Sequence, residues 1–207
     1  KSKLFSFAYD RRAKRAFDLV LCGLMLPAVG PLIMCLYLLS RCEGGGFFGH
    51  MRCGMAGQRF RCWKIQTMVP DAEKRLRKLL QQDPDMQREW RMTHKLKHDP
   101  RVTRSGRILR ATGLDELPQI WNVICGDMSL IGPRPITPEE LEEYGPDRDV
   151  YDNLRPGITG LWQVAGKNGV SYTKRIELDK TYRDTLSFKL DLIILFKTFG
   201  VILRRRV

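Results

Sequence analysis

The residues best placed to do chemistry stand in one run, Leu114-Asp115-Glu116-Leu117-Pro118-Gln119-Ile120-Trp121-Asn122-Val123-Ile124. Leu117, Ile120, Trp121 and Ile124 fall at i, i+3, i+4 and i+7, which predicts an amphipathic helix packed on the core. Asp115 then reads as its N-cap, with Pro118 tolerated in the first turn. Proline lacks the N–H that a capping carboxylate often engages, so the oxygens of Asp115 would be freer. The helix dipole would hold that carboxylate ionised, as a nucleophile requires. Glu116 points elsewhere and could hold a Mg²⁺ that neutralises a diphosphate. On residue types alone, simple capping comes first, because Asp-Glu pairs open many helices.

Gly126-Asp127-Met128-Ser129-Leu130-Ile131-Gly132-Pro133-Arg134-Pro135 follows. Two prolines bracket Arg134 and stiffen the chain, which suits bidentate contact with a phosphate. Arg155-Pro156-Gly157-Ile158-Thr159-Gly160-Leu161-Trp162-Gln163-Val164 repeats the device, and there a purely structural turn is an equal contender. His94 and His98 lie one helical turn apart, but lysines surround them and no third ligand is near, so they read as a solvated face.

These residues need elements to place them. The segment from Leu19 to Leu39 carries no charge. As a helix its twenty-one residues reach roughly 30 Å, about the hydrocarbon thickness of a bilayer. It ends in Arg41-Cys42-Glu43 rather than a small-residue cleavage site, so it does not read as a signal peptide. Pro27 and Pro31 interrupt the run, with Gly30 beside the second. Residues 1 to 18 hold six basic and two acidic groups, and the chain after Leu39 holds thirty and twenty-one. Positive charge on both flanks favours the same side for both, hence a re-entrant helical hairpin bent at Gly30 and Pro31. The C-terminal stretch from Leu186 to Arg206 is apolar with interspersed cations, and reads equally as an interfacial helix or a core helix.

Residues 59 to 65 alternate as a strand, while Pro84 divides two polar helices between Asp71 and about Lys97. Gly126 to Pro138 and Arg155 to Gly169 read as loops. The 207 residues suffice for one substantial core. A net charge of +13 calls for an anionic partner. Six cysteines with no C-x-x-C pair fit a reducing, cytosol-facing chain rather than a disulfide framework. The first residue is Lys rather than Met, which fits a piece of something longer.

Several motifs in one order carry a resemblance. LDELPQIWNV-ICGDMSLIGPRP, RPGITGLWQVAGK and ELDKTY, together with KRAFD at 14 to 18, FGHMRCGMAGQRF, KIQTM at 64 to 68 and DPRVTRSGRILR at 99 to 110, resemble the bacterial sugar transferases, a family of monotopic phosphoglycosyl transferases. The likeness extends over nearly the whole chain, and FGH with the DP-EW-KLKHDPR stretch is most similar to members that transfer galactose 1-phosphate. It implies transfer of a sugar 1-phosphate from a UDP-sugar to undecaprenyl phosphate, with release of UMP. Asp115 would be the nucleophile that forms an aspartyl-phosphosugar, and Glu116 would assist with Mg²⁺. Arg101, Arg110 and Arg134 would contact phosphates. Lys64, Arg155, Gln163, Lys167 and Asp179 would form an outer substrate shell.

The family often has Lys-Phe-Arg where Lys64-Ile65-Gln66 stands here, Gly-Arg where Gly166-Lys167 stands, and Ser at Gly113. The expected fold is α+β and predominantly helical: a membrane-embedded hairpin over residues 1–43, then a small cytosolic catalytic domain over 44–207 with interfacial amphipathic helices. The expected setting is the cytoplasmic face of the bacterial inner membrane, with membrane lipids as partners, no nucleic acid, and room for a homodimer. Two rivals remain. A D-x-D glycosyltransferase would use Asp83-Pro84-Asp85 or Asp147-Arg148-Asp149 and release UDP. A basic membrane-bound nucleic-acid-binding protein would account for the charge, though no recognised nucleic-acid motif appears.

Overall fold

The computed structural model describes residues 9, 11–93, 96–166 and 171–204; Lys167 and His94 lie outside these. A long helix α1 (Arg11–Cys42) leads into β1 (Phe47–Cys53), β2 (Arg59–Ile65), α2 (Ala72–Gln82), α3 (Pro84–Thr93) and α4 (Arg104–Thr112). A 3-10 turn (Leu114–Glu116) precedes α5 (Gln119–Cys125), β3 (Ser129–Ile131), α6 (Pro138–Glu142) and α7 (Arg148–Asp152). Then come β4 (Gly157–Thr159), α8 (Leu161–Ala165), α9 (Tyr172–Thr185) and α10 (Phe188–Arg204). The architecture is α+β and mostly helical, and α1 alone among the described residues is long and apolar enough to cross a membrane.

At 1.5 Å per residue α1 is about 48 Å long. One stripe of it packs on the rest of the chain: Lys14, Asp18, Cys22, Leu36 and Ser40 are buried, and Val29 and Ile33 pack against the main core between them. The opposite face is bare and apolar, with Leu24 72% and Val20 61% exposed. The helix continues through Pro27, Gly30 and Pro31, where the sequence suggests a bend. Both prolines lie on the exposed face four residues apart, and each forfeits only one backbone bond.

Both ends of α1 are tied to the same body. Near the N-terminus, Lys14 Nζ pairs with Asp18 at 3.1 Å and with Asp191 of α10 at 2.8 Å, all three buried. Asp191 also accepts from the hydroxyls of Tyr9 and Tyr182, and Asp18 accepts from the backbone N–H of Leu130. One cation is thus shared by two carboxylates, and neutral donors complete the hydrogen bonding of each, the condition under which such buried groups are tolerated. At the C-terminal end, the Ser40 hydroxyl donates to the Gln66 carbonyl at 2.8 Å, and the Glu43 carboxylate accepts from the Ser105 hydroxyl.

β1 and β2 form an antiparallel hairpin from Phe47↔Ile65 to Cys53↔Arg59, its turn passing through left-handed Ala56 and Gly57. On β2, Phe60 and Cys62 face the core at the period-2 spacing, which brings Lys64 to the same side. The two Gly- and Pro-rich loops are not independent: β3 and β4 pair in parallel, with Ser129↔Gly157 and Ile131↔Thr159 in register. Gly132 N–H donates to Thr159 at 2.9 Å, and Gly157 N–H to Pro133 at 2.6 Å. The approach excludes side chains, since a Cβ on Gly132 would stand 2.2 Å from the Arg155 carbonyl oxygen. α10 is both core and surface: Ile194 is fully buried, while Phe196 is 74% exposed. All six cysteines are free.

Candidate active site

Asp115 sits in the 3-10 turn between α4 and α5, directly after Gly113, whose left-handed backbone (φ 75°) ends α4. It is not the helix cap expected from the sequence. Pro118 occupies that position, and no side chain caps α5. The helix begins at Gln119, later than the spacing implies, so its phase differs. Ile120 and Val123 are buried, and Trp121, expected in the core, is 59% exposed. Asp115 itself is buried, and burial raises its pKa above the usual aspartate value. The charge of Lys64 works against that rise, the neighbouring Glu116 adds to it, and Arg110 lowers it. Desolvation therefore replaces the helix dipole as the main influence on this carboxylate.

Glu116 Oε1 meets Lys64 Nζ at 2.7 Å, and the charge of this cation from β2 also reaches Asp115. The register is held by Asn122, which the sequence reading passed over. Its Oδ1 accepts from Trp63 N–H at 3.0 Å, and its Nδ2 donates to the Arg61 carbonyl at 2.7 Å and to Asp127 Oδ2 at 3.0 Å. A side chain 1% exposed thus bonds to β2 as a further strand would, and fastens α5 to the strand that carries Lys64. The available signal was an amide inside the apolar run Ile120-Trp121-Asn122-Val123.

Lys64 and Glu116 line an open cleft together with Arg52, Cys62, Arg134 and Gln163. Burial pushes the Cys62 thiol up to about 11, so it is a neutral wall. Pro133 and Pro135 are buried while Arg134 is exposed, as the bracketing prolines suggest. Its guanidinium makes no hydrogen bond or ion pair among the described residues, and the Tyr151 hydroxyl steadies the segment at Cys53, Arg134 and Ile136. Gln163 is buried on α8, and its Oε1 has no partner among the described residues. Arg134 also lines a second, narrow recess, whose walls include Tyr144, Trp162, Tyr172, Arg175 and Asp179. There burial raises Asp179 to about 7, against the hydrogen bond it accepts from the Tyr144 hydroxyl at 2.8 Å.

Other expected contacts lie elsewhere. Arg101 is buried and doubly bonded to Asp99, at 2.8 and 2.6 Å, with the Trp90 ring 5.4 Å away. Arg155 donates to the Gly126 carbonyl at 3.0 Å and braces the turn after α5. Arg110 is exposed and donates from Nε to the Thr67 hydroxyl at 2.7 Å, close enough for its charge to reach Asp115. Among the described residues no group of three His, Cys, Asp or Glu side chains could hold a metal unaided. Mg²⁺ commonly takes one or two carboxylates and completes its shell with phosphates and water, so the Glu116 carboxylate, 38% exposed beside Lys64, fits such an ion once a diphosphate is present.

Residues 9–205 match the bacterial sugar transferase family. The chain is 47% identical over 200 residues to the UDP-galactose-lipid carrier transferase of Erwinia amylovora, covering 95% of this chain and 41% of that one. It is 46% identical over 197 residues to the undecaprenyl-phosphate galactose phosphotransferase of Salmonella typhimurium, with the same coverage. It is 43% identical over 192 residues to the exopolysaccharide production protein ExoY of Sinorhizobium fredii, covering 92% of this chain and 85% of that protein. The chain thus spans about two-fifths of the length of the first two relatives.

Proposed function

Because the chain belongs to the bacterial sugar transferase family, we propose that it transfers a hexose 1-phosphate, with galactose the leading candidate, from a UDP-sugar to undecaprenyl phosphate, releasing UMP. The observation that carries this reading is the buried Asp115 next in the chain to Glu116, whose carboxylate pairs with Lys64 at a cleft where Arg52 and Arg134 supply further cations. Galactose rests on the names of the Erwinia and Salmonella relatives.

In the proposed mechanism an Asp115 oxygen attacks the sugar-bearing phosphorus. The bond to the bridging oxygen breaks, and UMP leaves with that electron pair. A phosphate oxygen of the lipid then attacks the same phosphorus, and the Asp115 carboxylate departs. Splitting the displacement lets each anionic nucleophile act on a phosphate whose charge is already offset. Lys64 holds Glu116 in place and favours the ionised form of Asp115. Arg134, with no side-chain partner to give up among the described residues, offers its planar guanidinium to a phosphate. Mg²⁺, held by Glu116, would supply charge neutralisation on the diphosphate.

The lie of α1 supports a helix that enters and leaves the membrane on one side. Lys14 near its start and Ser40 near its end both bond to the polar body, which a perpendicular crossing would place on opposite faces. In this reading the bare outer face of α1 lies in the bilayer, and the basic flanks and free cysteines favour the cytoplasmic face of the inner membrane.

The test is nucleotide release from purified protein, Mg²⁺, undecaprenyl phosphate and a panel of UDP-hexoses. Lipid-dependent UMP from one donor is the expected result. UDP would instead make the protein a glycosyltransferase. Asp115→Asn should abolish turnover and keep UDP-sugar binding, and residual activity at the wild-type level would remove Asp115 from the nucleophile role. Cysteine labels at the two ends of α1 should react from one face, whereas labels on opposite faces would mean a true span.

A further inference from the structure

By its charge, the basic block at the start of α1 suits a membrane surface, yet Arg15 turns inward. Its guanidinium donates to two backbone carbonyls at the end of α5, those of Val123 and, at 2.9 Å, Ile124. A helix leaves the carbonyls of its last turn short of partners, and a cation there also meets the negative end of the helix dipole. Two carbonyls on one planar fork fix direction as well as distance, which a rotating ammonium does not. Arg155 holds the carbonyl of Gly126 just beyond. Three residues along α1 from Arg15, Asp18 accepts from the N–H of Leu130 in β3 at 3.2 Å. One turn of α1 therefore holds both the helix behind Asp115 and Glu116 and the strand that leads to Arg134.

What happens at the tail of α5 reaches its head. The seven residues of α5 are only about 10 Å long, and the turn before them runs into the helix without a break. Glu116 N–H donates to Gly113, Leu117 to Leu114, Ile120 to Leu117 and Trp121 to Pro118, at 3.0 to 3.3 Å. Asp115 and Glu116 thus ride on the short rod that Arg15 holds at its other end. Asn122 ties the middle of that rod to β2, and a rod tied at its middle can still pivot. Leu114 and Leu117 pack near Leu36, Ile65 and Leu109 at the head, but apolar contact is non-directional. We propose that Arg15 is a positioning residue for the transferase site: through its paired hold on the Val123 and Ile124 carbonyls, the membrane helix sets the angle of α5, and so the placement of Asp115 and Glu116 against Lys64. This rests on the reading of those carboxylates as the reacting centre.

The test compares the full chain in lipid nanodiscs with Arg15→Met, Arg15→Lys, Lys64→Met and the Arg15→Met/Lys64→Met double variant. Arg15→Met should lower kcat of lipid-dependent UMP release by about tenfold, as a small misplacement of reacting groups can, with KM for the UDP-sugar within about twofold of wild type. The loss should be equal in zwitterionic and anionic lipid. In the double variant the two losses should not multiply, because both act on one placement. Hydrogen exchange over residues 113–121 should quicken, although the bonds of Arg15 lie at the far end of the helix. An unchanged kcat, or losses that simply multiply, would overturn the proposal. So would a loss confined to anionic lipid, which would give Arg15 to the headgroups. Arg15→Lys keeps the charge and gives up the paired hold, so it decides the matter by the same readouts if Arg15→Met does not fold. Wild-type protein that releases no UMP from any donor would instead sink the reaction assignment, and exchange over residues 113–121 would still decide whether Arg15 sets α5.

Discussion

At the scale of single residues, Asp115 is governed by burial. A nucleophilic carboxylate must be ionised, and burial lifts its pKa, so activity should fall with acid at a higher pH than an ordinary aspartate would give. Lys64 opposes the lift, so Lys64→Met should move the acid limb of kcat/KM further up the pH scale. It should also lower kcat by about 10²-fold, the usual scale for losing one electrostatic contact at a phosphoryl centre. A profile measured from pH 4 to 8 checks both, and an unmoved limb would mean that Lys64 serves only Glu116. Asn122 shows what residue types reveal and what they hide. Asp115, Glu116 and Arg134 stood out in the sequence as charged side chains in unusual settings. Asn122 did not stand out, because its partners lie about sixty residues away on β2. Asn122→Ala leaves the Trp63 N–H and the Arg61 carbonyl without that partner, and should cost about 2–4 kcal/mol in urea unfolding.

At the scale of elements, legibility followed local pattern. The alternation of residues 59 to 65 gave β2, and Pro84 separated α2 from α3, because each signal is complete within a few neighbouring residues. β3 and β4 were read as loop. Each has three residues, too few for a period, and their partners are nearly thirty residues apart. Pairing them lets Arg134 project from a fixed backbone, since Gly132 joins β3 to Pro133 while bonding across to Thr159. Gly132→Ala places a Cβ against the Arg155 carbonyl and must part the two strands. The expected outcome is UMP release reduced by more than about tenfold, as a misplacement of about an ångström can cause, with far-ultraviolet circular dichroism unchanged. The candidate site was legible in the same uneven way. Lys64, Glu116 and Arg134 of the cleft wall were singled out in the sequence and Arg52 was not, while Arg101 and Arg155 brace carboxylate and backbone instead, because an arginine's partner depends on tertiary placement.

At the scale of the molecule, α1 has two unlike faces on one rod. Its inner stripe supplies Cys22 to the main core and Leu36 to the cluster with Ile65 and Leu109, while its outer face is bare. Deleting residues 1–43 should therefore not yield a soluble enzyme. The shortened chain should aggregate, or show no cooperative melting by calorimetry, because side chains buried against α1 become exposed. A sharp transition and retained UMP binding in that fragment would show that the remaining body folds alone. The apolar length was plain in the sequence. That the same helix is also a structural member of the catalytic body was not, because hydropathy records how apolar a residue is and not which neighbour covers it. The double use of α1 reaches into the life of the chain in the cell. Bilayer targeting and completion of the core depend on one segment, so in this scheme they form a single maturation step. A copy that misses its bilayer carries an unshielded greasy flank, is exposed to chaperones and proteases, and is cleared before it can spend activated sugar away from its lipid acceptor.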